Sequence, residues 1–452
     1  MVNIRKEKLF RDPVHNVIQF DLNDDTERML FRLVDTRVVQ RLRHIRQLGL
    51  AGFVYHGAEH SRYGHSIGTQ HVAKRIFDSA NPGGDPFERA VTRAAALLHD
   101  VGHAAFSHAF ESGVSGICRF NHEEMTCAYI LNEEGEIYRI LHDFDPFLPG
   151  CVAACISQNE SHAWYHQIVS SQLDADRMDY ILRDGYMTGI KNYLYDIDRI
   201  LEMLDRDEEG IVVGYRAIHA VETYLLSRYH MYQQVYHHKT VRGAEKMLES
   251  IFRRVADLAD NGDESVFAVG RMGSLLRHIV SHREVDPNLC MAVNDAHAWT
   301  AIDAWQDSND EILSDLSRSL LKRNFFKTVE IPDEFRNTLR SQWQELEDVV
   351  RKSGFAPEYY LSLDTTVNRA FAPYAPESTP LLPFASNGAK NPHANADIRI
   401  CLANGQIVSI QDASPIVDML TKIRSQVARL CFCAPVREGI LQKLRDLHIP
   451  VS

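Results

Sequence analysis

The chain has 452 residues, 45% hydrophobic and 24% charged, a composition that suits a large globular core and excludes a disordered or fibrous protein. A formal charge of -12 at pH 7 argues against a surface built to grip duplex nucleic acid and leaves a small anionic substrate open. Eight cysteines without a C-x-x-C pair, no apolar signal core in MVNIRKEKLFRD and no apolar run of about 18 residues lead us to expect a cytoplasmic protein that does not span a membrane.

The first two-thirds of the chain read as helices. DPFERAVTRAAALLHD (85–100) places Phe87, Ala90, Val91, Ala94 and Leu98 at helical spacing after the turn NPGGDP. His99 and Asp100 therefore fall at the end of a buried helix, an unusual place for a charge. An adjacent imidazole and carboxylate can serve one cation where Gly102 loosens the chain. His65, in SRYGHSIGTQHVAKRI (61–76), and an acidic residue further on are the candidates to complete the set. QLDADRMDYILRD (172–184) supplies carboxylates, with Asp176, Tyr180, Arg183 and Asp184 on one helical face. A mixed nitrogen and oxygen set suits Mn, Fe, Zn or Ni, with Mg on substrate phosphates. HDVGH also resembles the two-histidine helix of zinc peptidases, but those need Glu as general base, and Gly102 weakens the helix.

VETYLLSRYHMYQQVYHHKT (221–240) is expected as one helix with Arg228, Tyr232, Tyr236 and Lys239 in a stripe of cations and rings. From 330 the character changes. PDEFRNTLRSQWQELEDVVRK (332–352) reads as one amphipathic helix, and Ile398, Ile400 and Leu402 alternate up to a hairpin turn at Asn404-Gly405. Ser414-Pro415 reads as a cap and first helical position, RLCFC (429–433) as a strand, and the Pro/Ala/Ser/Asn-rich stretch 372–396 as a long loop. The expected fold is mainly α, with a helical catalytic domain over 1–330 and a small C-terminal α+β domain over 331–452.

KLFRDPVHNVI, VDTRVVQRLRHIRQLGL, HSRYGHSIGT, LLHDVGHAAFSHAFE, FNHEE, DADRMDYILRDG, YDIDRI, YHMYQQVYHHKT and LKRNFFK together resemble the deoxynucleoside triphosphate triphosphohydrolase branch of the HD-domain phosphohydrolases, over roughly 8–330. The resemblance implies an HD-domain helical core in which His65, His99, Asp100 and Asp176 hold a divalent metal. It implies hydrolysis of a deoxynucleoside triphosphate to deoxynucleoside and intact triphosphate. His103, His108 and His122 match catalytic and phosphate-contacting histidines, and His122, held by Glu123 or Glu111, is favoured as proton donor to the leaving 5′-oxygen. Arg62 and Arg228 are matched to phosphates, and Tyr180, Asp184 and Gln47 to the 3′-hydroxyl. Leu48 and Tyr236 crowd the 2′ position, which would reject ribonucleotides. Arg177 and His237 complete the implied substrate contacts, and His237 stands where others have Gln, which leaves base preference open.

The same resemblance matches Asp35, Gln40 and Arg43 to residues that read an activating guanine nucleotide, and Arg199, Arg323 and Lys327 to allosteric phosphate contacts. It implies a nucleotide-activated homo-oligomer, a tetramer or dimer. Gly214 lies where some relatives carry a basic residue that Arg216 replaces only in part, so the activator stays open. The alternatives are another HD phosphohydrolase acting on phosphomonoesters or cyclic phosphodiesters, and a nucleotide-binding sensor.

Overall fold

The computed structural model describes residues 6–157, 163–368, 397–422 and 425–450, and helices dominate them. The expected loop at 372–396 lies outside the described residues.

The chain opens on a hairpin that the sequence reading did not anticipate. β1 (Glu7–Asp12) pairs antiparallel with β2 (Asn16–Asp21), Asp12 facing Asn16 across the turn. Asp12 Oδ1 sets that turn by accepting from the backbone N–H groups of Val14 and His15, both at 2.9 Å. Asn16 takes φ 61°, a left-handed conformation that Asn tolerates better than most side chains. Ile18 and Phe20 anchor the hairpin in the core.

Helices α1 (Asp25–Val34) and α2 (Arg37–Arg41) lead to α3 (Arg62–Ala80) and α4 (Pro86–Leu98). Asp85 caps α4 through the Phe87 N–H, and Pro86 fills the first position, where its missing N–H is no loss. Every residue of α4 from Ala90 to Leu98 is buried, so α4 is the central helix, packed on α3 and on the later helix Leu148–Ser157. By contrast, α3 buries Arg62, His65, Ser66, Thr69 and Gln70 beside Val72 and Ile76. Polar groups in such a place need partners, and they make α3 the site-bearing helix.

Around this pair stand α5 (His108–Val114), α6 (His122–Leu131), α7 (Glu136–Phe144), α8 (Leu148–Ser157), α9 (His166–Val169) and α10 (Ala175–Thr188). Asp174 caps α10 by accepting from Arg177 N–H at 2.7 Å, which leaves Asp176 in the first turn. Helix α11 (Ile197–Glu202) and strands β3 (Leu204–Asp207) and β4 (Gly210–Gly214) follow.

The expected single helix over 221–240 is two. α12 (Ile218–Met231) winds into a π-turn over Tyr232–Tyr236, and Lys239 starts α13 (Lys239–Asp260). A π-turn takes an extra residue per turn and so breaks the 3.6-residue register. Lys239 consequently leaves the stripe of Arg228, Tyr232 and Tyr236. Helices α14 (Gly270–His282), α15 (Pro287–Met291), α16 (Asp295–Trp305) and α17 (Glu311–Leu321) complete the helical core. No helix among the described residues is long and apolar enough to cross a membrane.

Beyond it, β5 (Lys327–Ile331) precedes α18 (Arg336–Ser341) and α19 (Trp343–Lys352), so the expected 332–352 helix is interrupted at Gln342. After α20 (Pro357–Tyr360) comes β6 (Leu361–Asn368), and β6 and β5 flank β9 (Ser425–Phe432) in an antiparallel sheet. The expected hairpin forms from β7 (Arg399–Cys401) and β8 (Ile407–Ser409), with Gly405 at φ 83°. After α21 (Ile410–Ala413), Ser414 Oγ accepts from Val417 N–H at 3.2 Å and opens α22 (Pro415–Lys422); α23 (Arg437–Asp446) closes the chain. β7 lies parallel to β4, Val213 facing Ile400, which gives a sheet ordered β3-β4-β7-β8. One buried apolar cluster runs from Ile18 to Ile449, across residue 330.

Candidate active site

The structure brings together residues from α3, the end of α4 and the first turn of α10. His65 Nε2 and His99 Nε2 face each other at 3.2 Å, and Asp176 Oδ1 lies 3.0 Å from the first and 3.5 Å from the second. Asp100 Oδ1 is 3.4 Å from His99 Nε2, and its Oδ2 is 3.7 Å from His65 Nε2. The other ring nitrogens are already committed. His65 Nδ1 donates to Asp179 Oδ2 at 2.8 Å, and His99 Nδ1 donates to the Ala96 carbonyl at 2.9 Å. Each Nδ1 therefore carries a proton, and each Nε2, once deprotonated, would present a lone pair to the same point.

Two neutral imidazoles so aimed repel unless positive charge lies between them; with Asp100 they form a nitrogen and oxygen donor set that could hold a divalent cation, and Asp176 Oδ1 stands beside both nitrogens. The surrounding carboxylates favour positive charge at this point: burial opposes a charge on His65, but Asp176 and Asp179 overcome it and lift its pKa to about 10, so a cation would bind here in place of a ring proton. His99 is raised against burial by Asp100 and Asp176. Burial also opposes ionisation of Asp100, yet Arg62, His99 and His103 hold it well below the usual carboxylate range.

A second polar cluster abuts the first. His103 Nε2 is 3.3 Å from Asp100 Oδ1, and the His103 ring stacks on His122 at 3.8 Å and 15°. Glu111 accepts from His108 Nδ1 at 2.8 Å and from His122 Nδ1 at 3.0 Å, and its Oε1 also takes the His122 backbone N–H at 2.9 Å. Those imidazoles hold the Glu111 carboxyl far below its ordinary range despite burial. Of the two carboxylates expected to hold His122, then, Glu111 makes the contact; Glu123, one residue along α6, has no such bond among the described residues. This group, too, has four potential ligands. Stacked rings, however, place their in-plane lone pairs in near-parallel planes, so a single ion cannot lie in the plane of both His103 and His122. Burial, Arg62 and His122 together depress His103 well below the usual imidazole range, which keeps it neutral.

From Asp100 the contacts lead outward. Arg62, 3% exposed, donates to Asp100 Oδ2 at 2.5 Å and to Ser107 Oγ at 2.7 Å. Gln47 N–H donates to the His60 carbonyl at 2.9 Å, and His60 Nε2 meets Asp184 Oδ1 at 2.7 Å. Tyr236 O–H donates to Asp184 Oδ2 at 2.8 Å, and the Tyr180 ring stands 5.9 Å from Tyr236 and 6.4 Å from His65. Arg228 Nη1 donates to Gln172 Oε1 at 2.8 Å, and Arg177 pairs with Asp174. Burial and nearby Arg242 and Arg429 press His237 down to about 4. Leu48 packs beside Ala51 and Val241.

The allosteric candidates lie elsewhere. Arg323 and Lys327 line a cavity of about 440 Å³ together with Lys239, Phe325, Phe326 and Arg437. Gln40 donates to the Val34 carbonyl and accepts from Arg43, whose guanidinium covers the Tyr63 ring at 3.6 Å. Asp35 ends α1, and Arg199 lies 3.8 Å from Glu202 on α11.

An HD-domain model matches residues 62–184, the segment that contains His65, His99, Asp100 and Asp176, and a model of an HD associated region matches 195–274. An uncharacterized protein of Bacillus subtilis, YwfO, is 34% identical over 422 residues, spanning 92% of this chain and 90% of that one. The chain belongs to the HD-domain family of phosphohydrolases. A crystal structure of a phosphohydrolase from Bacteroides thetaiotaomicron superimposes with a TM-score of 0.75 at 27% identity, covering 94% of this chain and 100% of that one. Human deoxynucleoside triphosphate triphosphohydrolase SAMHD1 is 26% identical over 302 residues, 57% of this chain and 46% of that protein. The HD-domain chain thus spans about half the length of that relative.

The four residues that sequence reasoning grouped do converge, but it missed what holds them. Asp179 sits one turn after Asp176, and four hydrogen bonds converge on its carboxylate. They come from His65, from His15 Nε2 at 2.7 Å, and from Arg183 Nε and Nη2, each at 2.8 Å. The Asp-Pro-x-x-Asn pattern at 12–16, flanked by alternating LFR and VIQF, was a turn signal for the hairpin that carries His15.

Proposed function

We propose that the protein is a metal-dependent hydrolase of deoxynucleoside triphosphates, releasing deoxynucleoside and inorganic triphosphate. One observation carries the reading: the converging His65, His99 and Asp100, with Asp176 beside them, touch, through the 3.3 Å approach of His103 to Asp100, a histidine group organised by Glu111. A bound divalent ion, Mn, Fe, Zn or Ni, would polarise the α-phosphate and activate a water there, with Mg on the outer phosphates. The chain's own groups do the rest. Glu111, as a carboxylate, accepts the Nδ1–H of His122 and would stabilise its imidazolium form, whose Nε2–H is the proton handed to the departing 5′-oxygen, with Glu123 outside that role. His108 shares Glu111 and faces the same phosphate, and neutral His103 stacks behind His122 and fixes its ring.

Arg62, Arg177 and Arg228 offset the phosphate charge. Gln47 Oε1, Arg228 Nε and His103 Nδ1 are buried without a hydrogen-bond partner, as expected of groups that wait for a ligand. Asp184 already accepts from His60 and Tyr236 and keeps capacity for a 3′-hydroxyl shared with Gln47 and Tyr180. Leu48 and the Tyr236 ring leave no partner for a 2′-hydroxyl, which selects deoxyribose. His237 borders the base. The name of the SAMHD1 relatives supports the substrate class.

An activating nucleotide would take the cationic cavity of Arg323 and Lys327, with Asp35, Gln40, Arg43 and Arg199 contributing across a homotetramer or dimer. Incubating the metal-loaded protein with each dNTP and NTP, singly and in pairs, and separating products by ion exchange tests the reading. Triphosphate from dNTPs alone supports it; orthophosphate, cleavage of a cyclic phosphodiester instead, or binding without turnover refutes it.

A further inference from the structure

His65 reaches the cation position from a helix, yet its orientation is fixed from outside that helix. Its Nδ1–H is held by Asp179, whose carboxylate is fully buried and accepts four hydrogen bonds. Arg183, one turn on, closes a fork on Asp179, and its remaining Nη1 reaches Asp12 Oδ2 at 2.9 Å. Asp12 thus serves twice, since its other oxygen builds the β1–β2 turn that presents His15. His15, with a side chain 3% exposed, then donates from Nε2 to Asp179. The result is a closed ring: Asp12, the turn, His15, Asp179, Arg183 and Asp12 again.

Helix α3 is shaped to admit this ring. Gly68 stands one turn after His65, and a Cβ there would run into Asp179 Oδ1 and Arg183 Nη2. A larger residue would push Asp179 away from His65, so the glycine is where the carboxylate gains its close approach. Three segments far apart in sequence, 12–15, 65–68 and 179–183, meet at one carboxylate with no spare acceptor capacity. Such saturation fixes its position and, through it, the plane of the His65 ring.

We infer that His15, delivered by the N-terminal hairpin, is a positioning residue for the metal centre: it locks Asp179, and Asp179 aims His65 Nε2 at the cation. The inference rests on the metal reading of the previous section. Outer partners of this kind are worth about 10- to 100-fold in metal affinity when removed. His15 acts through one intermediate, so the lower figure, about 10-fold, is expected.

Mn²⁺ affinity of the full chain, measured by calorimetry or by the EPR signal of free Mn²⁺, tests it, with melting of the EDTA-treated protein as the fold control. His15→Ala should bind Mn²⁺ about 10-fold more weakly than wild type. His15→Gln, which places an amide N–H near the lost Nε2–H, should restore most of the affinity, whereas His15→Met, of similar bulk without a donor, should not. If His15→Ala fails to fold, the Gln and Met pair decides. Equal Mn²⁺ affinity in those two, or in His15→Ala and wild type, overturns the inference. No Mn²⁺ binding by wild type, together with none lost in Asp176→Asn, overturns the metal reading instead.

Discussion

Two polar clusters lie side by side in this molecule, built from the same residue types and differing in what their lone pairs face. In the first, His65 and His99 spend their Nδ1 protons on Asp179 and on a backbone carbonyl, and the Nε2 atoms converge at 3.2 Å, where a cation could take both lone pairs. In the second, Glu111 occupies the Nδ1 atoms of both His108 and His122, and stacking denies His103 and His122 a common point. The first arrangement suits a cation and the second a transferable proton. The comparison teaches that counting histidines and carboxylates does not distinguish a metal centre from an acid–base group. Whether the remaining ring nitrogens converge on one point does.

Variants can break that distinction, and the most damaging is Asp176→Asn. Its side chain is 31% exposed, so loss of charge should spare the fold while removing ion binding and lowering triphosphate release by on the order of 1000-fold, the several kcal/mol of charge stabilisation that leave with the ion. Steady-state turnover with parallel calorimetry of Mn²⁺ binding reads both. Next comes Glu111→Gln, which should cut kcat by about 100-fold with KM and ion affinity nearly unchanged, whereas Glu123→Gln should stay within about twofold of wild type. If Glu111→Gln lost the ion as well, the two clusters would be one.

Gly68→Ala acts on the first cluster alone. Crowding Asp179 and Arg183 should cost about 1–3 kcal/mol of stability by overpacking and weaken Mn²⁺ binding, with the His122 group untouched. Thermal melts with and without EDTA separate the two effects.

The smallest effect lies outside both clusters. Glu27, 3% exposed, holds Arg93 at 2.7 Å and Lys74 at 2.9 Å; burial opposes its charge, and these cations pull its pKa below the ordinary 4.5. Because the folded value is the lower one, this stability is present above about pH 4.5 and is lost as pH falls through the folded pKa. Melting temperature should therefore decline on acidification below pH 4.5, less steeply in Glu27→Gln, and without changing which cluster takes the ion.

What was legible in the sequence follows the range of the interactions. Helix α4 was readable because Asp85, Pro86 and the apolar spacing act within one segment, and they put His99 and Asp100 at its end. The 398–409 hairpin was readable from alternation and Gly405. The π-turn at 232–236 was not, because nothing in local propensity distinguishes it from continued helix, and Lys239 was misplaced as a result. Nor could spacing choose between Glu111 and Glu123, which depends on how α5 meets α6. His15 and Asp179 are 164 positions apart, and only the folded chain shows that the hairpin turn reaches the helix carrying Asp176.

The sharpest test is anomalous diffraction from a crystal grown with Mn²⁺. The account predicts one strong peak, about 2.0–2.3 Å from His65 Nε2, His99 Nε2 and oxygens of Asp100 and Asp176, with none among His103, His108, Glu111 and His122. A peak confined to the second group, or none between His65 and His99, would contradict it.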